Sequence, residues 1–386
     1  SAFEPWPSFT QAEADAVSKV LLSNKVNYWT GQECREFEKE FAQFAGTKHA
    51  VAVANGTVAL DLALKALGVG AGDDVIVTSR TFLASASSIV TAGANPIFAD
   101  VELDSQNISR CTIEAVITPN TKVIICVHLA GWMCDMDPIM QLAEEKGIFV
   151  IEDCAQAHGA MYKGKSAGSI GHIGAWSFCQ DKIMTTGGEG GMVTTNDEIL
   201  WKTMWSYKDH GKNFDSVYNK QHPPGFRWLH DSFGTNWRMM EMQAVIGRLQ
   251  LKEMPEWTAK RNANMARIQA VFENSPYFTV AKPSADYVHA AYKCYVQVNV
   301  DVLPDGWSRD RIMAEISSQA VPCFSGSCSE VYLEKAFDGT TWRPKQSLPN
   351  AKQLGESSLM FLVHPTLSDA SIQKTVDAIA QVIAKI

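Results

Sequence analysis

The sequence predicts an α/β fold: a mostly parallel seven-stranded sheet with helices on both faces, followed by a smaller α+β unit. Three observations predict it. Seven short apolar runs of strand length occur before residue 196. Segments with helical spacing of apolar residues lie between them. After Asn196 the alternation stops and the chain turns polar and aromatic. Strands that alternate with helices form parallel sheets, because each crossover helix packs back onto a sheet face. Strands buried on both faces read as continuous apolar runs.

In order, the strands are expected at Ala50–Ala54, Asp74–Thr78, Pro96–Val101, Val123–His128, Ile148–Asp153, Ile173–Phe178 and Met192–Thr195. Between the first two, Thr57–Leu67 places Leu60, Leu64 and Leu67 on one helical face. Met136–Lys146 has similar spacing and stops before Gly147. Within residues 197–235, the polar and aromatic stretch with Pro223-Pro224-Gly225 reads as an exposed loop or interface segment. Met239–Lys260 reads as a helix that Pro255 bends or breaks, since proline lacks an N–H and crowds the preceding turn. From about residue 262 the pattern is that of the smaller unit, with a strand at Tyr292–Val298 and a helix at Arg309–Ser318. The expected division is a large domain over residues 1–255 and a small one over 256–386.

With 386 residues, 46% hydrophobic and 20% charged, the chain can bury a large core in two ordinary globular domains. A net charge of -8 without a Lys/Arg block argues against nucleic acid or an anionic membrane as partner. No apolar run reaches the roughly 20 residues of a membrane span. Ser1-Ala2-Phe3-Glu4-Pro5-Trp6 lacks the basic start and apolar stretch of a secretion signal. Nine cysteines are scattered, and Cys126, Cys154 and Cys179 sit in apolar runs that suggest buried thiols. None forms a C-x-x-C pair, so no metal site is expected, and a reduced cytoplasm is the expected compartment.

Five positions stand out as candidates for chemistry. Lys182 follows the apolar run Ile173–Phe178 and precedes Thr185-Thr186-Gly187-Gly188-Glu189-Gly190-Gly191. Most lysines near turns are merely solvated, but one delivered from a buried strand can form a Schiff base with a carbonyl. Asp153 ends the run Ile148–Asp153. A strand-end acid and a strand-end lysine match the needs of pyridoxal phosphate, an anchor for its aldehyde and a counter-ion for its pyridinium. Asp153 also suits a helix cap. Asn55-Gly56-Thr57 lies between a strand and a helix, where backbone N–H groups and a hydroxyl make a phosphate cradle or an ordinary N-cap. Phe82, after Ser79-Arg80-Thr81, could stack on a flat ring or pack in the core. Ser177 is a second phosphate ligand or a strand hydroxyl. Ligands of parallel sheets bind beyond the carboxyl ends of the strands, where Asn55, Asp153 and the Lys182 segment all fall.

Together these stretches resemble the fold type I aminotransferases, and more closely the sugar aminotransferases of the DegT/DnrJ/EryC1/StrS family. The matching residues are Val51-Ala52-Val53-Ala54-Asn55-Gly56-Thr57, Ile151-Glu152-Asp153-Cys154-Ala155-Gln156, Trp176-Ser177-Phe178 with Lys182 and Glu189-Gly190-Gly191, and Gly234-Thr235-Asn236-Trp237-Arg238-Met239. Thr30-Gly31, and His128 with Gly131, also look like the family. The resemblance is good over residues 25–275 and loose beyond. It implies pyridoxal 5'-phosphate as cofactor, Lys182 as its anchor and proton shuttle, and Asp153 beside the pyridinium. Gln156 would contact the ring hydroxyl and Phe82 the ring face, while Gly56, Thr57 and Ser177 would hold the phosphate. Asn236 would reach the phosphate of the neighbouring subunit, which makes the site a property of a homodimer. Thr30, His128 and Arg238 would meet substrate, although Arg238 also suits a structural interface.

The implied reaction moves an amino group from an amino acid, L-glutamate, to a keto sugar. The expected acceptor is a nucleotide-linked 4-keto-6-deoxy sugar for surface polysaccharide or lipopolysaccharide. A 3-keto nucleotide sugar and a keto-octulosonate are alternatives. A sugar dehydratase or lyase and a non-catalytic cofactor-binding regulator are alternatives of other kinds. A regulator would need a DNA-binding module, and no segment offers a basic helix-turn-helix. The family's 3-dehydratases replace the lysine by histidine, against which Lys182 stands. Where family members often carry a His-Tyr pair that frames the sugar, this chain has Val321-Pro322-Cys323-Phe324-Ser325-Gly326-Ser327-Cys328.

Overall fold

The computed structural model describes residues 3–386, so Ser1 and Ala2 of the N-terminal reading lie outside the described residues. The central sheet has seven strands, in spatial order His49–Val53, Gly191–Thr195, Ile173–Ser177, Phe149–Asp153, Thr121–Val127, Asp74–Thr78 and Asn95–Ala99. Gly191–Thr195 is antiparallel to both its neighbours, and all other pairs are parallel. Six carboxyl ends therefore share one edge of the sheet. The alternation of side chains explains the continuous apolar runs. Val51, Val53, Val75, Val77, Ile125 and Ile151 enter the core on one face. Ala50, Ala52, Ile76, Ile124, Cys126 and Val150 enter the core on the other.

Helix Gly56–Ala66 buries Leu60 and Leu64 in the first of these cores, with Leu67 just beyond its end. Helix Met136–Lys146 buries Ile139, Leu142 and Ala143 in the second and stops at Gly147, whose φ of 67° suits glycine. The smaller unit has a three-stranded antiparallel sheet, Phe278–Thr279, Cys294–Val298 and Ser358–Phe361, over a third core. Its helix Arg309–Ser317 stands where expected, and its strand starts at Cys294 rather than Tyr292.

Two expectations need correction, the break at Pro255 and the burial of Cys179. Helix Glu241–Phe272 runs unbroken through Pro255 for 32 residues. Pro255 is exposed there, so water can satisfy the carbonyl that loses its N–H partner, while buried Met254, Met265, Ile268 and Phe272 fix the helix on both sides. The region after Asn196 is partly ordered: helix Glu198–Tyr207 buries Met204 and Trp205, and Phe214–Tyr218 forms a further short helix. Only the later stretch, with Phe226, Trp228 and Phe233 about fully open, is the exposed segment expected. All nine cysteines are free, Cys126 and Cys154 are buried, and Cys179 is half-buried because it starts the lysine loop rather than ending a strand. No helix among the described residues is long and apolar enough to cross a membrane.

Candidate active site

Strand Phe149–Asp153 delivers Asp153 to the shared carboxyl edge, where it is buried. One carboxylate oxygen accepts from Ser85 Oγ at 2.8 Å and the other from the Ala155 N–H at 3.2 Å. Burial pushes its pKa up, against the opposing pull of these hydrogen bonds and of the Lys182 charge. Ser85 is itself tied to Thr81 Oγ1 at 2.8 Å. A serine in the run Ser85-Ala86-Ser87-Ser88 gives no signal of this role in the sequence.

Lys182 sits in the loop that joins strands Ile173–Ser177 and Gly191–Thr195. Backbone bonds from Phe178 N–H to the Gly190 carbonyl (2.8 Å) and from Thr186 N–H to the Phe178 carbonyl (3.2 Å) close that loop. Trp6 pins it from outside, donating Nε1–H to the Lys182 carbonyl at 2.8 Å. The side chain is mostly buried, with Nζ 3.8 Å from Asp181 Oδ1 and 5.3 Å from the centre of the Tyr292 ring. Asp181 also accepts from Tyr292 Oη at 2.6 Å. Trp6, Asp181 and Tyr292 come from three distant parts of the chain, so their convergence was not readable in sequence.

The third component is the start of helix Gly56–Ala66. Asn55 caps it through Oδ1, which accepts from the Val58 N–H at 3.0 Å. A Cβ on Gly56 would fall 2.5 Å from Ser177 Cβ. Glycine is thus required to keep the space between the helix start and Ser177 open. Thr57 is exposed beside it. Free N–H groups at a helix start, two hydroxyls and a cleft that a Cβ would fill make an anion seat, and a phosphate fits these residues. Asn55 is thus the helix cap, Gly56 lies against Ser177 at the cleft, and Thr57 is next to it in the chain.

Gln156 stands between these groups and the loop after strand Thr121–Val127. Its Oε1 accepts from the Ala130 N–H at 2.7 Å, which leaves its NH2 to donate elsewhere. Ala130 takes a positive φ of 58°, and Gly131 follows at 98° because a Cβ there would meet Ala290 Cβ at 2.8 Å. Phe82 is 70% exposed at the end of strand Asp74–Thr78, so it is not a core residue in this chain.

His128 is corrected from a substrate contact to a fold residue. It is fully buried, and both ring nitrogens are engaged. Nδ1 accepts from the Cys134 N–H at 3.1 Å, so the proton rests on Nε2, which donates to Glu152 at 2.9 Å. No ring nitrogen is left for substrate. Cys154 lies close enough to complete a His128–Glu152–Cys154 metal-sized group, but the histidine and the glutamate are already held by protein hydrogen bonds.

The other expected residues gather at a second cluster. Asp209, which carried no role in the sequence reading, is fully buried and accepts from Trp29 Nε1 (2.8 Å), Arg238 (2.7 Å) and Lys212 (3.2 Å). Burial raises its pKa, and the charges of Lys208, Lys212 and Arg238 outweigh burial to leave it lowered. Asn236 pairs with Asp209 through the backbone and exposes its side chain. Thr30 is exposed next to Trp29. Arg238 follows Trp237, whose carbonyl accepts from the Ala54 N–H at 2.9 Å, so this cluster borders the phosphate seat.

An amine and a buried carboxylate beside an anion seat, at the carboxyl edge of a mostly parallel sheet, define an enzyme site of the aminotransferase class. The DegT/DnrJ/EryC1/StrS aminotransferase family model matches residues 7–380, and the chain belongs to that family. The X-ray structure of an aminotransferase from Psychrobacter cryohalolentis is 65% identical, covers 100% of this chain and 99% of its own, and superposes with a TM-score of 0.98. GDP-perosamine synthase of Caulobacter vibrioides is 36% identical over 90% of this chain and 89% of its own length. A dTDP-3-amino-3,4,6-trideoxy-alpha-D-glucose transaminase of Streptomyces venezuelae is 31% identical over 96% of this chain and 92% of its own.

Proposed function

We propose that this chain uses pyridoxal phosphate to move an amino group from L-glutamate to the keto group of a nucleotide-linked 4-keto-6-deoxy sugar, for surface polysaccharide or lipopolysaccharide. The observation that carries the reading is the convergence of Asp153, Lys182 and the Gly56–Ser177 cleft on one edge of the sheet. These are the counter-ion, the amine and the phosphate seat that one cofactor needs. Nucleotide sugars in the names of two relatives support the acceptor class.

Pyridoxal phosphate, when bound, supplies the electron sink for amino transfer. The chain's own residues do the rest. The Gly56 backbone and the hydroxyls of Thr57 and Ser177 would seat the phosphate. Asp153 would keep a proton on the ring nitrogen, and its position between Ser85 and Ala155 fixes its aim. The free NH2 of Gln156 would donate to the ring hydroxyl, and Phe82 would cover the ring face. Lys182 would anchor the cofactor and carry the proton to and from the donor's α-carbon. Thr30 and Arg238 border the sugar's place in this reading, and Asn236 reaches the partner's phosphate seat in a homodimer. In this reading a large domain spans 1–255 and a small one 256–386, and a reduced cytoplasm suits nine free cysteines.

The test is a half-reaction. The protein is loaded with the amine form of the cofactor and offered GDP- and dTDP-linked 4-keto-6-deoxy sugars, a 3-keto nucleotide sugar and a keto-octulosonate. The sugar that restores the absorbance of the aldehyde form is the acceptor. If no sugar does so although L-glutamate drives the reverse conversion, the sugar reading fails. Shared sites are tested by mixing Lys182→Ala subunits with Asn236→Ala/Arg238→Ala subunits under exchange. Activity should reappear if sites are shared and stay absent if each chain builds its own.

A further inference from the structure

An unpartnered buried cation is costly, so it marks a place that suits an anion. Two cations without an ion pair among the described residues lie beside the lysine loop, one fully buried and one half-buried. Arg261, on helix Glu241–Phe272, is 1% exposed, and its Nε and one terminal nitrogen have no hydrogen-bond partner. Trp6 covers it, with the guanidinium carbon 4.9 Å from the ring centre, and the same indole holds the Lys182 carbonyl. Lys293 is the second. Its Nζ lies 4.8 Å from the centre of the Tyr292 ring, the ring from which Lys182 Nζ is 5.3 Å away, and it makes no ion pair among the described residues. Asp181 is the near carboxylate, but it is shared with Lys182 and hydrogen-bonded by Tyr292.

Lys293 also lines a crevice between the large sheet and the small unit, together with Gln106, Met265, Gln269, His289 and Gln297. Met265 and Gln269 follow Arg261 at helical intervals of four, so all three share one face of the helix. The glutamines offer hydrogen bonds without charge. His289 is kept neutral near pH 7, since burial pushes its pKa down to about 4. The wall's one acid, Asp104, is exposed at the mouth. The crevice thus offers one cation, Lys293, and neutral polar groups along its wall.

We propose that Lys293, backed by the buried charge of Arg261, binds a carboxylate of the amino-acid donor. The inference rests on the aminotransferase reading and adds the donor's subsite to it. Both lysine nitrogens lie against the Tyr292 ring and feel each other's charge, so an anion on Lys293 sits in the neighbourhood of the group that reacts at Lys182. An amino acid has a carboxylate bonded to that carbon. The phosphates of a nucleotide sugar lie beyond the sugar ring.

The holoenzyme is titrated by calorimetry with glutarate, a dicarboxylate that has no amino group, and with GDP. The half-reaction with L-glutamate and with L-alanine is followed by absorbance. Lys293→Met should raise both the glutarate dissociation constant and the half-saturating glutamate concentration at least about tenfold, as expected for one lost charge-assisted bond. Lys293→Arg should stay within about threefold of wild type, since the charge is kept. Lys293→Gln, which keeps length and polarity, serves where the methionine variant does not fold. A loss for both amino acids assigns the α-carboxylate to Lys293, and a loss for glutamate alone assigns the side-chain carboxylate; both support the subsite. Unchanged glutarate and glutamate binding in a folded variant, or a loss confined to GDP, overturns it. If the wild type converts no amino acid, the reaction reading fails, while glutarate binding still reports on Lys293.

Discussion

Glu152 and Asp153 are consecutive residues of one strand, both buried, and their surroundings treat them in opposite ways. Alternation along the strand sends them to opposite faces of the sheet. Glu152 accepts four hydrogen bonds, from His128 (2.9 Å), Gly168 (3.0 Å), Ile170 (2.8 Å) and Gly171 (2.7 Å). Burial pushes its pKa up, but these donors outweigh burial and hold it below the ordinary carboxylate value. Asp153 has two donors, and there burial prevails and the pKa rises. The difference teaches how to separate fold from chemistry in this chain. A buried carboxylate with its acceptor sites filled holds the structure together. One that is aimed by its neighbours yet left with spare capacity is built to receive a cation.

The largest effect should come from the cation side of that contrast. Lys182→Ala should abolish amino transfer while the Gly56–Ser177 seat still retains the cofactor, as measured by absorbance after gel filtration. Borohydride reduction and peptide mapping should place the cofactor label on Lys182, and a label on another lysine would remove it from its role. Asp153→Asn comes next. An amide cannot keep the ring proton as a carboxylate does, so single-turnover amino transfer should slow by roughly 10²- to 10⁴-fold. Near wild-type rates would show that the spare capacity of Asp153 is incidental.

The same contrast explains what was legible in the sequence. Strand positions were readable within a residue or two, because a doubly covered sheet imposes unbroken apolar runs such as Val123–Val127. Asp153, Gly56 and Lys182 were readable because each sits at a strand end or helix start that apolar patterning already located. His128 was misassigned: its motif marks the position, but its role depends on Cys134 and Glu152, which face it only in three dimensions. Asp209, Ser85, Asp181 and Arg261 were invisible for the same reason. Each acts through partners far along the chain, as Trp6 does on Lys182 across 176 positions. Pro255 misled in the other direction, since local propensity is overridden by packing on both sides of it.

On the filled side of the contrast the effect should be on stability. Glu152→Gln replaces one acceptor oxygen by an NH2 that faces backbone N–H donors. The variant should lose about 3 kcal/mol, the scale of breaking a buried charged network, read from urea denaturation. Because the folded pKa of Glu152 is lowered, its contribution is complete above the unfolded carboxylate value and fades as pH falls through the folded one. The gap between wild type and Glu152→Gln should therefore be widest near neutral pH and close on acidification. A gap that does not change with pH would mean that the charge of Glu152 is not what the four donors hold.

The smallest effect is also the one that separates the two carboxylates most directly. Asp153 has a raised folded pKa, so the sign reverses. Its protonated form is the one that favours folding, so that contribution is complete below the unfolded value of about 3.9 and is lost as pH rises through the folded value. In the cofactor-free protein, ionised Asp153 is a buried charge held by two donors. Asp153→Asn keeps one acceptor oxygen for the Ala155 N–H, turns its NH2 toward Ser85, whose hydroxyl can accept from it, and removes the charge. It should raise the stability of the cofactor-free protein by on the order of 1 kcal/mol near pH 7, and that advantage should shrink toward pH 4. The same substitution in the loaded protein should lose stability instead, because the carboxylate then has its cation. Urea denaturation of both forms at both pH values tests the pair of signs. A variant less stable than wild type in the cofactor-free form would place Asp153 with Glu152, as a residue of the fold alone.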